Sequence, residues 1–332
     1  MSDGFNLRLR RPRPSVVACS PTLGALGAVN LMPACFAKED ALEARIARSS
    51  RRRRAVSVLL RWLTYAAATV TAAVLLFVVG YILVRGVPAL TPDLFQWEYT
   101  SENVSLLPAL ASTVIMALLA LALAVPVGVG AAIYLVEYAR RGSRFVRLVR
   151  VTAETLQGIP SIIYGLFGML FFVTACGWDL SLLSGACTLA IMVLPVIMRT
   201  TEEALMAVPD SYREGGFGLG AGRLRTVARC VLPSAVPGIL GGVILALGRC
   251  VGEVAALLFT AGTVAQIPDF AGQGIFALFD SCRTLAVHMY TLACEGLHVN
   301  EAYATSVVLL ILVLLLNAAM RVVAQKMEVS KK

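Results

Sequence analysis

Apolar and polar stretches alternate along this chain in six long cycles. The apolar runs lie at about residues 62–84, 107–136, 156–176, 182–198, 236–260 and 304–323. Each supplies close to the ~20 residues that a helix needs to cross the hydrocarbon core of a bilayer. Inside that core the backbone must satisfy its own hydrogen bonds, and a helix does so within one segment. The pattern therefore predicts an all-α integral membrane protein with six transmembrane helices. Pro126, Pro160, Pro195 and Pro237 punctuate the runs. Membrane helices tolerate such breaks where neighbours re-satisfy the freed backbone groups. Gly158, Gly165 and Gly168 on the third run are expected to let helices approach closely. No internal repeat marks the paired halves of a secondary transporter.

Composition points the same way. The chain is 58% hydrophobic and 15% charged, whereas a soluble domain carries about 25% charged residues. A formal net charge of +9 raises nucleic acid as a partner, but the distribution argues otherwise. Of 29 lysines and arginines, 26 fall on one side: the arm through Arg61, the loop 137–153, the stretch 199–232 and the C-terminal tail. The other side holds only Arg85 and Arg283, and Arg249 lies inside a run. This is the positive-inside distribution, which sets both termini in the cytoplasm. The basic excess is a topology signal, and no nucleic-acid partner is expected.

Residues 1–55 depart from the rest. Pro12, Pro14, Pro21 and Pro33 interrupt helices there. The expectation is a cytoplasmic basic arm, largely disordered, with a short basic helix around 39–54. The mildly apolar stretch 14–37 mimics a signal peptide. Its cleavage would leave the arginine run 51–54 outside, against the charge rule. Met32 is an alternative start. The membrane domain is expected over 56–326, followed by a cytoplasmic tail at 327–332. Arginines 141, 144, 147 and 150 recur every three residues, one stripe of a helix suited to anionic lipid. On the opposite side Cys282, His288, Cys294 and His298 fall in one predicted loop. Their spacing is not that of the common zinc sites, so no metal is expected. A Cys282–Cys294 disulfide stays open on the oxidising side.

The chain lacks G-x-x-x-x-G-K-[ST], H-E-x-x-H and G-x-S-x-G. It therefore carries no P-loop and no recognisable hydrolytic constellation. An enzyme is not expected, nor a cofactor, and energy for any transport must come from a partner. The stretch 199–233 is too long for a tight connector. Residues 202–206 have helical patterning, Pro209 interrupts it, and Asp210 or Ser211 is expected to cap a second helix through 214–220. Each interior glycine there costs about 1 kcal/mol relative to alanine. Such a helix must be held by packing, and its place on the cytoplasmic face makes it a docking element.

The order Glu214, Gly220, then Leu232 and Pro233 resembles the EAA-x3-G-x9-I-x-LP motif of ABC importer permeases. Gly215 and Gly216 stand where alanines are usual, and Cys230 replaces the isoleucine. The stretches PVGVGAAIYLVEYA (126–139), QGIPSIIYGLFG (157–168), MVLPVIMRTTEEALMAVPDSYREG (192–215) and GVILALGRCVGEVAALLFTAG (242–262) resemble the PstA family of phosphate importer permeases. Val254 and Ala256 depart from that pattern, where threonine and proline are expected. The resemblance covers roughly residues 60–325. It implies the MetI-like type I importer fold, with both termini inside, in a bacterial inner membrane. It further implies a PstC-like permease partner, a PstB-like ATPase dimer and a PstS-like phosphate-binding protein. Arg213, Glu214, Gly215, Gly216, Gly220, Leu232 and Pro233 would then belong to the segment that couples to the ATPase.

Two charges lie inside the fifth run. Arg249 and Glu253 are four residues apart and would share one face of a continuous helix. An arginine at the bilayer centre costs about 2.5–3.5 kcal/mol on insertion scales, so it pairs or lines a pathway. Both readings stay open here: an internal ion pair that fixes packing, or a charge in the path of an anion. With phosphate as the implied cargo, the guanidinium fork suits its oxygens. Glu253 would hold Arg249 when the site is empty and would accept a proton from the substrate. Arg199, Glu202 and Glu203 form a second set, read either as a solvated helix end or as an inner gate. Gln157 and Ser161 are expected to line the path as neutral donors.

Overall fold

The structure is a computed structural model. It describes the backbone of residues 28–329 apart from 101, 141 and 271, and side chains over 56–325 with those exceptions and 323. Residues 1–27 of the basic arm, position 141 of the arginine stripe and the tail end 330–332 lie outside the described residues. The chain divides into two units, Met1–Leu76 and Phe77–Lys332. Helix α1 (Ala28–Gly86) accounts for the described part of the first. It begins well before the short basic helix expected near 39–54 and carries Pro33 within its second turn.

The second unit is all-helical. After α2 (Leu107–Ile133) come α3 (Arg144–Gln157), α4 (Ser161–Gly168), α5 (Leu182–Met206), α6 (Asp210–Gly218), α7 (Arg223–Thr226), α8 (Leu232–Val251), α9 (Ala255–Thr260), α10 (Leu285–Glu295) and α11 (Val299–Val329). π-helical turns extend α2 over Tyr134–Tyr138 and α4 over Met169–Ala175, and join α7 to α8 over Val227–Val231. Among the described residues five helices are long and apolar enough to cross a membrane: Val56–Ala89, Leu107–Tyr138, Leu182–Met206, Arg223–Val251 and Val299–Val322. A sixth exists if α3 and α4, bent by 101°, count as one broken span. The bend sits at Gly158–Pro160. Proline cannot continue the hydrogen-bond ladder, and it drives the residue before it away from helical geometry.

The fifth run departs from expectation in the same way. It starts earlier, at Arg223, and ends at Val251 rather than 260. Gly252 closes α8, and a separate short helix α9 follows.

Helix α5 is the hub and packs chiefly against α2 and α8. Two thirds of its apolar window is buried (67%), as expected for a helix that is apolar all round. Leu189, Val193 and Ile197 join Met116, Ala120 and Leu247 in one core. Lipid is as apolar as leucine, so close contact rather than the hydrophobic effect holds such helices together. Small residues permit it. A Cβ on Gly165 would come within 2.8 Å of the Ala256 backbone, and Gly168 is pressed against Thr188. Gly158 does not share this role, because its space is bounded only by the Thr155 carbonyl at 3.5 Å. Along the antiparallel α5–α8 pair, Gly238 faces Ala204 and Gly242 faces Thr200.

Candidate functional site

The α3–α4 bend brings the end of α3 against the cytoplasmic end of α5. Arg150 and Glu154 lie one turn apart on α3, and Arg199, Glu202 and Glu203 close α5. Arg199 donates through Nε to Glu203 Oε1 (3.1 Å) and through Nη1 to Glu154 Oε1 (3.2 Å). Arg150 pairs with Glu202, whose side chain is only 7% exposed. All five charges line a cavity of about 170 Å³, together with Ala153, Met198 and Met206. Arg199, Glu202 and Glu203 are therefore brought together, and they belong to a larger cluster. Arg150 and Glu154 are additions. Their i, i+4 spacing on an amphipathic helix is the signal that points to them, and Arg150 engages Glu202.

Arg249 and Glu253 do not form an ion pair, the first of the two readings of their spacing. The helix breaks between them at Gly252. Glu253 Oε1 instead accepts the Ala256 backbone N–H (3.1 Å), at the start of α9. This satisfies one of the orphan donors that every helix start presents. Arg249, half-buried in the last turn of α8, has no carboxylate within ion-pairing distance among the described residues. Gly242 packs at the level of Thr200. With a rise of 1.5 Å per residue, Arg249 therefore stands roughly 10 Å along α8 from the Arg199 cluster. Gln157 donates one of its two Nε2 hydrogens to the Pro195 carbonyl (3.0 Å), which ties the bend to α5. Ser161 opens α4 and is half-buried.

On the cytoplasmic side α6 carries the motif residues. Pro209 occupies the cap position and Asp210 is the first helical residue, so neither Asp210 nor Ser211 caps the helix. Arg213 does not face solvent. It donates to Glu137 through Nε (3.1 Å) and Nη2 (2.7 Å), to the Leu205 and Val208 carbonyls (2.9 and 2.8 Å), and to Asp210 (3.2 Å). Those contacts engage every N–H that a guanidinium has. The Arg213 and Glu137 side chains are 15% and 7% exposed. Hydrogen bonding to Glu137 and the charges of Glu137 and Asp210 hold the Arg213 pKa above its ordinary value. This clamp fixes α6 to the end of α2. Sequence reasoning missed Glu137, an acid at the edge of an apolar run beside a basic loop. Gly216 is buried against Thr226, while Gly215 faces open space. Gly220 has φ +76°, a conformation that glycine adopts without strain. Leu232 and Pro233 open α8. Glu214, Phe217, Leu219 and Leu224 are exposed, Leu219 by 90%.

The external Cys/His stretch is not one loop. His288 and Cys294 lie on α10, His288 fully buried and Cys294 exposed. Cys282 is buried and both thiols are free, so no disulfide joins them. Burial, helped by Asp280, pushes the Cys282 thiol up to about 12. Burial, and then the charge of Arg283, pushes His288 down to about 3. Arg283 stacks over Tyr99 at 4.8 Å, and Tyr99 meets the His288 ring edge-on.

This bent-helix arrangement around α5 is the fold of ABC importer permeases. The chain superimposes on a chain of a solved bacterial ABC transporter involved in import of the acidic polysaccharide alginate, with TM-score 0.53, 18% identity, and coverage of 78% of this chain and 95% of that one. For the inward-facing MetNI methionine ABC transporter the TM-score is 0.50, with 20% identity over 74% and 96%. Residues 124–329 match the binding-protein-dependent transport system inner membrane components, and the chain belongs to that family. The probable ABC transporter permease protein YqgI of Bacillus subtilis is 35% identical over 268 residues, 76% of this chain and 90% of the relative. The phosphate transport system permease protein PstA of Mycobacterium leprae is 33% identical over 227 residues, 65% and 71% of the two chains. PstC of Mesorhizobium japonicum is 30% identical over 258 residues, 70% and 77%. The chain is thus a multi-pass permease component of an ABC importer, similar to the PstA permeases.

Proposed function

We propose that this chain forms half of the translocation path of an inorganic phosphate importer in a bacterial inner membrane. The observation that carries the reading is Arg249, a half-buried arginine within the membrane helices that pairs with no carboxylate among the described residues. A cation desolvated to that degree calls for an anionic partner, and a guanidinium fork matches phosphate oxygens in pairs. The similarity to phosphate permeases supports the same cargo. A PstC-like permease supplies the other half of the path. A PstB-like ATPase dimer docks on α6, with its exposed Phe217, and on the neighbouring Leu219 and Leu224. A PstS-like protein delivers phosphate from outside. ATP-driven closure of the ATPases moves α6, the Arg213–Glu137 clamp carries that motion to α2, and the path alternates between outward and inward access. Coupling follows from different affinities for phosphate in the two states.

The test is uptake of labelled phosphate at low micromolar concentration, in cells lacking only this subunit. They are restored with the wild-type chain or with Arg249→Gln, both checked for membrane expression. Restoration by wild type and at least about a tenfold loss in the variant is expected. Equal restoration by both would make Arg249 a packing residue. Failure of wild type to restore phosphate uptake, with restored uptake of sulfate or phosphonate, would reassign the cargo.

A further inference from the structure

The two arginine positions along α5 and α8 are in opposite electrostatic states. Among the described residues Arg249 has no acidic partner, while Arg199, nearer the cytoplasm, has two. Which donors those two carboxylates occupy is informative. A guanidinium offers an oxyanion two bidentate edges, Nε with Nη2 and Nη1 with Nη2. Glu203 takes the single Nε–H, which breaks the Nε–Nη2 edge, and Glu154 takes one of the two N–H groups on Nη1. The surrounding cavity is lined by two arginines and three glutamates, a formal charge of −1. Such a cavity repels phosphate, which carries −1 to −2 at neutral pH.

Stability does not account for this double pairing. The side chains of Glu154 and Glu203 are 59% and 60% exposed, and ion pairs that exposed contribute little to folding. The Arg150–Glu202 pair, with its buried carboxylate, and the Gln157–Pro195 hydrogen bond anchor α3 to α5. We propose that Glu154 and Glu203 are a carboxylate screen at the inner mouth of the path. They keep Arg199 engaged, so that phosphate leaving toward the cytoplasm is not retained and phosphate already there does not bind back. Glu154 is thereby a positioning residue that sets the direction of release. The proposal rests on the phosphate reading above.

The experiment uses inverted membrane vesicles holding the complete importer. The lumen contains the binding protein and labelled phosphate, and ATP is added outside, at the cytoplasmic face. Unlabelled phosphate or sulfate is titrated at that same face, and release of label is normalised to each variant's own rate without added anion. Sulfate is the cleaner probe because ATP hydrolysis does not produce it. Glu154→Gln and Glu203→Gln each remove one carboxylate and leave the other on Arg199, so either suffices if one variant is lost from the membrane. Half-inhibition by either anion is expected at a concentration at least about tenfold lower than in wild type. Glu154→Asp should behave as wild type. Unchanged half-inhibition in the glutamine variants overturns the screen. Failure of the phosphate assignment reads differently, as wild-type vesicles that move no labelled phosphate. The same titration, run with the oxyanion they do move, then decides the screen.

Discussion

At the residue scale, an ionisable side chain in this protein acts according to what it touches, and two of them make separable predictions. Glu253 has one oxygen on the Ala256 N–H and also a charge. Glu253→Gln keeps an acceptor and removes the charge. It should leave thermal stability of the solubilised assembly unchanged and lower its preference for phosphate over sulfate in competition uptake. Glu253→Ala removes the acceptor too and should cost about 1 kcal/mol, as losing a helix cap does. An unchanged preference in Glu253→Gln would leave Glu253 with the capping role alone. His288 is held neutral, its pKa pushed down to about 3 by burial and by Arg283. Between about pH 6.5 and pH 3 the unfolded chain takes up a proton that the folded chain refuses. The stability is present above 6.5 and is lost as pH falls through that window, by at most about 1.4 kcal/mol per pH unit. His288→Leu should flatten the fall in melting temperature between pH 6.5 and 4.5. An equal slope in the variant would assign the effect to other groups.

At the scale of elements, much of the architecture is legible in the sequence, because apolar run length and the distribution of arginines answer to the bilayer. What escapes is where a run is interrupted. Gly158–Pro160 sets the basic helix α3 at 101° to α4 and delays the start of the expected span from about 156 to Ser161. Gly252 parts Arg249 from Glu253 although their spacing suits a continuous helix. The Arg213–Glu137 clamp joins residues 76 positions apart, which no local pattern encodes. Helix α6 shows the same limit in its glycines, since Gly215 and Gly216 are neighbours in sequence and differ in surroundings. A Cβ at Gly215 meets nothing, and one at Gly216 falls 2.7 Å from the buried Thr226 side chain. Gly215→Ala should stabilise α6 by up to about 1 kcal/mol through helix propensity alone, with transport retained. Gly216→Ala should loosen α6 and uncouple ATP hydrolysis from uptake. Adding Thr226→Ala should restore most of the coupling. A double variant no better than Gly216→Ala would mean that Thr226 is not what excludes a side chain there.

At the scale of the molecule, α4 with its π-helical extension is the element that this chain leaves incomplete. Ser161–Ala175 reaches about 22 Å at 1.5 Å per residue, against a hydrocarbon core of about 30 Å. One side is pinned through Gly165 and Gly168 onto α9 and α5. The other exposes Ile162, Ile163, Leu166, Phe167, Leu170 and Phe171. Lipid facing so short a segment must thin, at a cost that grows with each ångström of mismatch. A second permease seated on that face would remove the mismatch and bury the aromatic side chains. Without it the chain should turn over several-fold faster in the membrane, because a partner that binds only the folded state stabilises it by mass action. A pulse-chase with and without the co-expressed partner measures this. A photo-crosslinking residue placed at Phe167 or Phe171 should capture the partner permease, and one at the exposed Leu314 of α11 should capture lipid. Capture of lipid at all three positions would put the interface elsewhere. It would also leave the short α4 span to be accommodated by the bilayer itself.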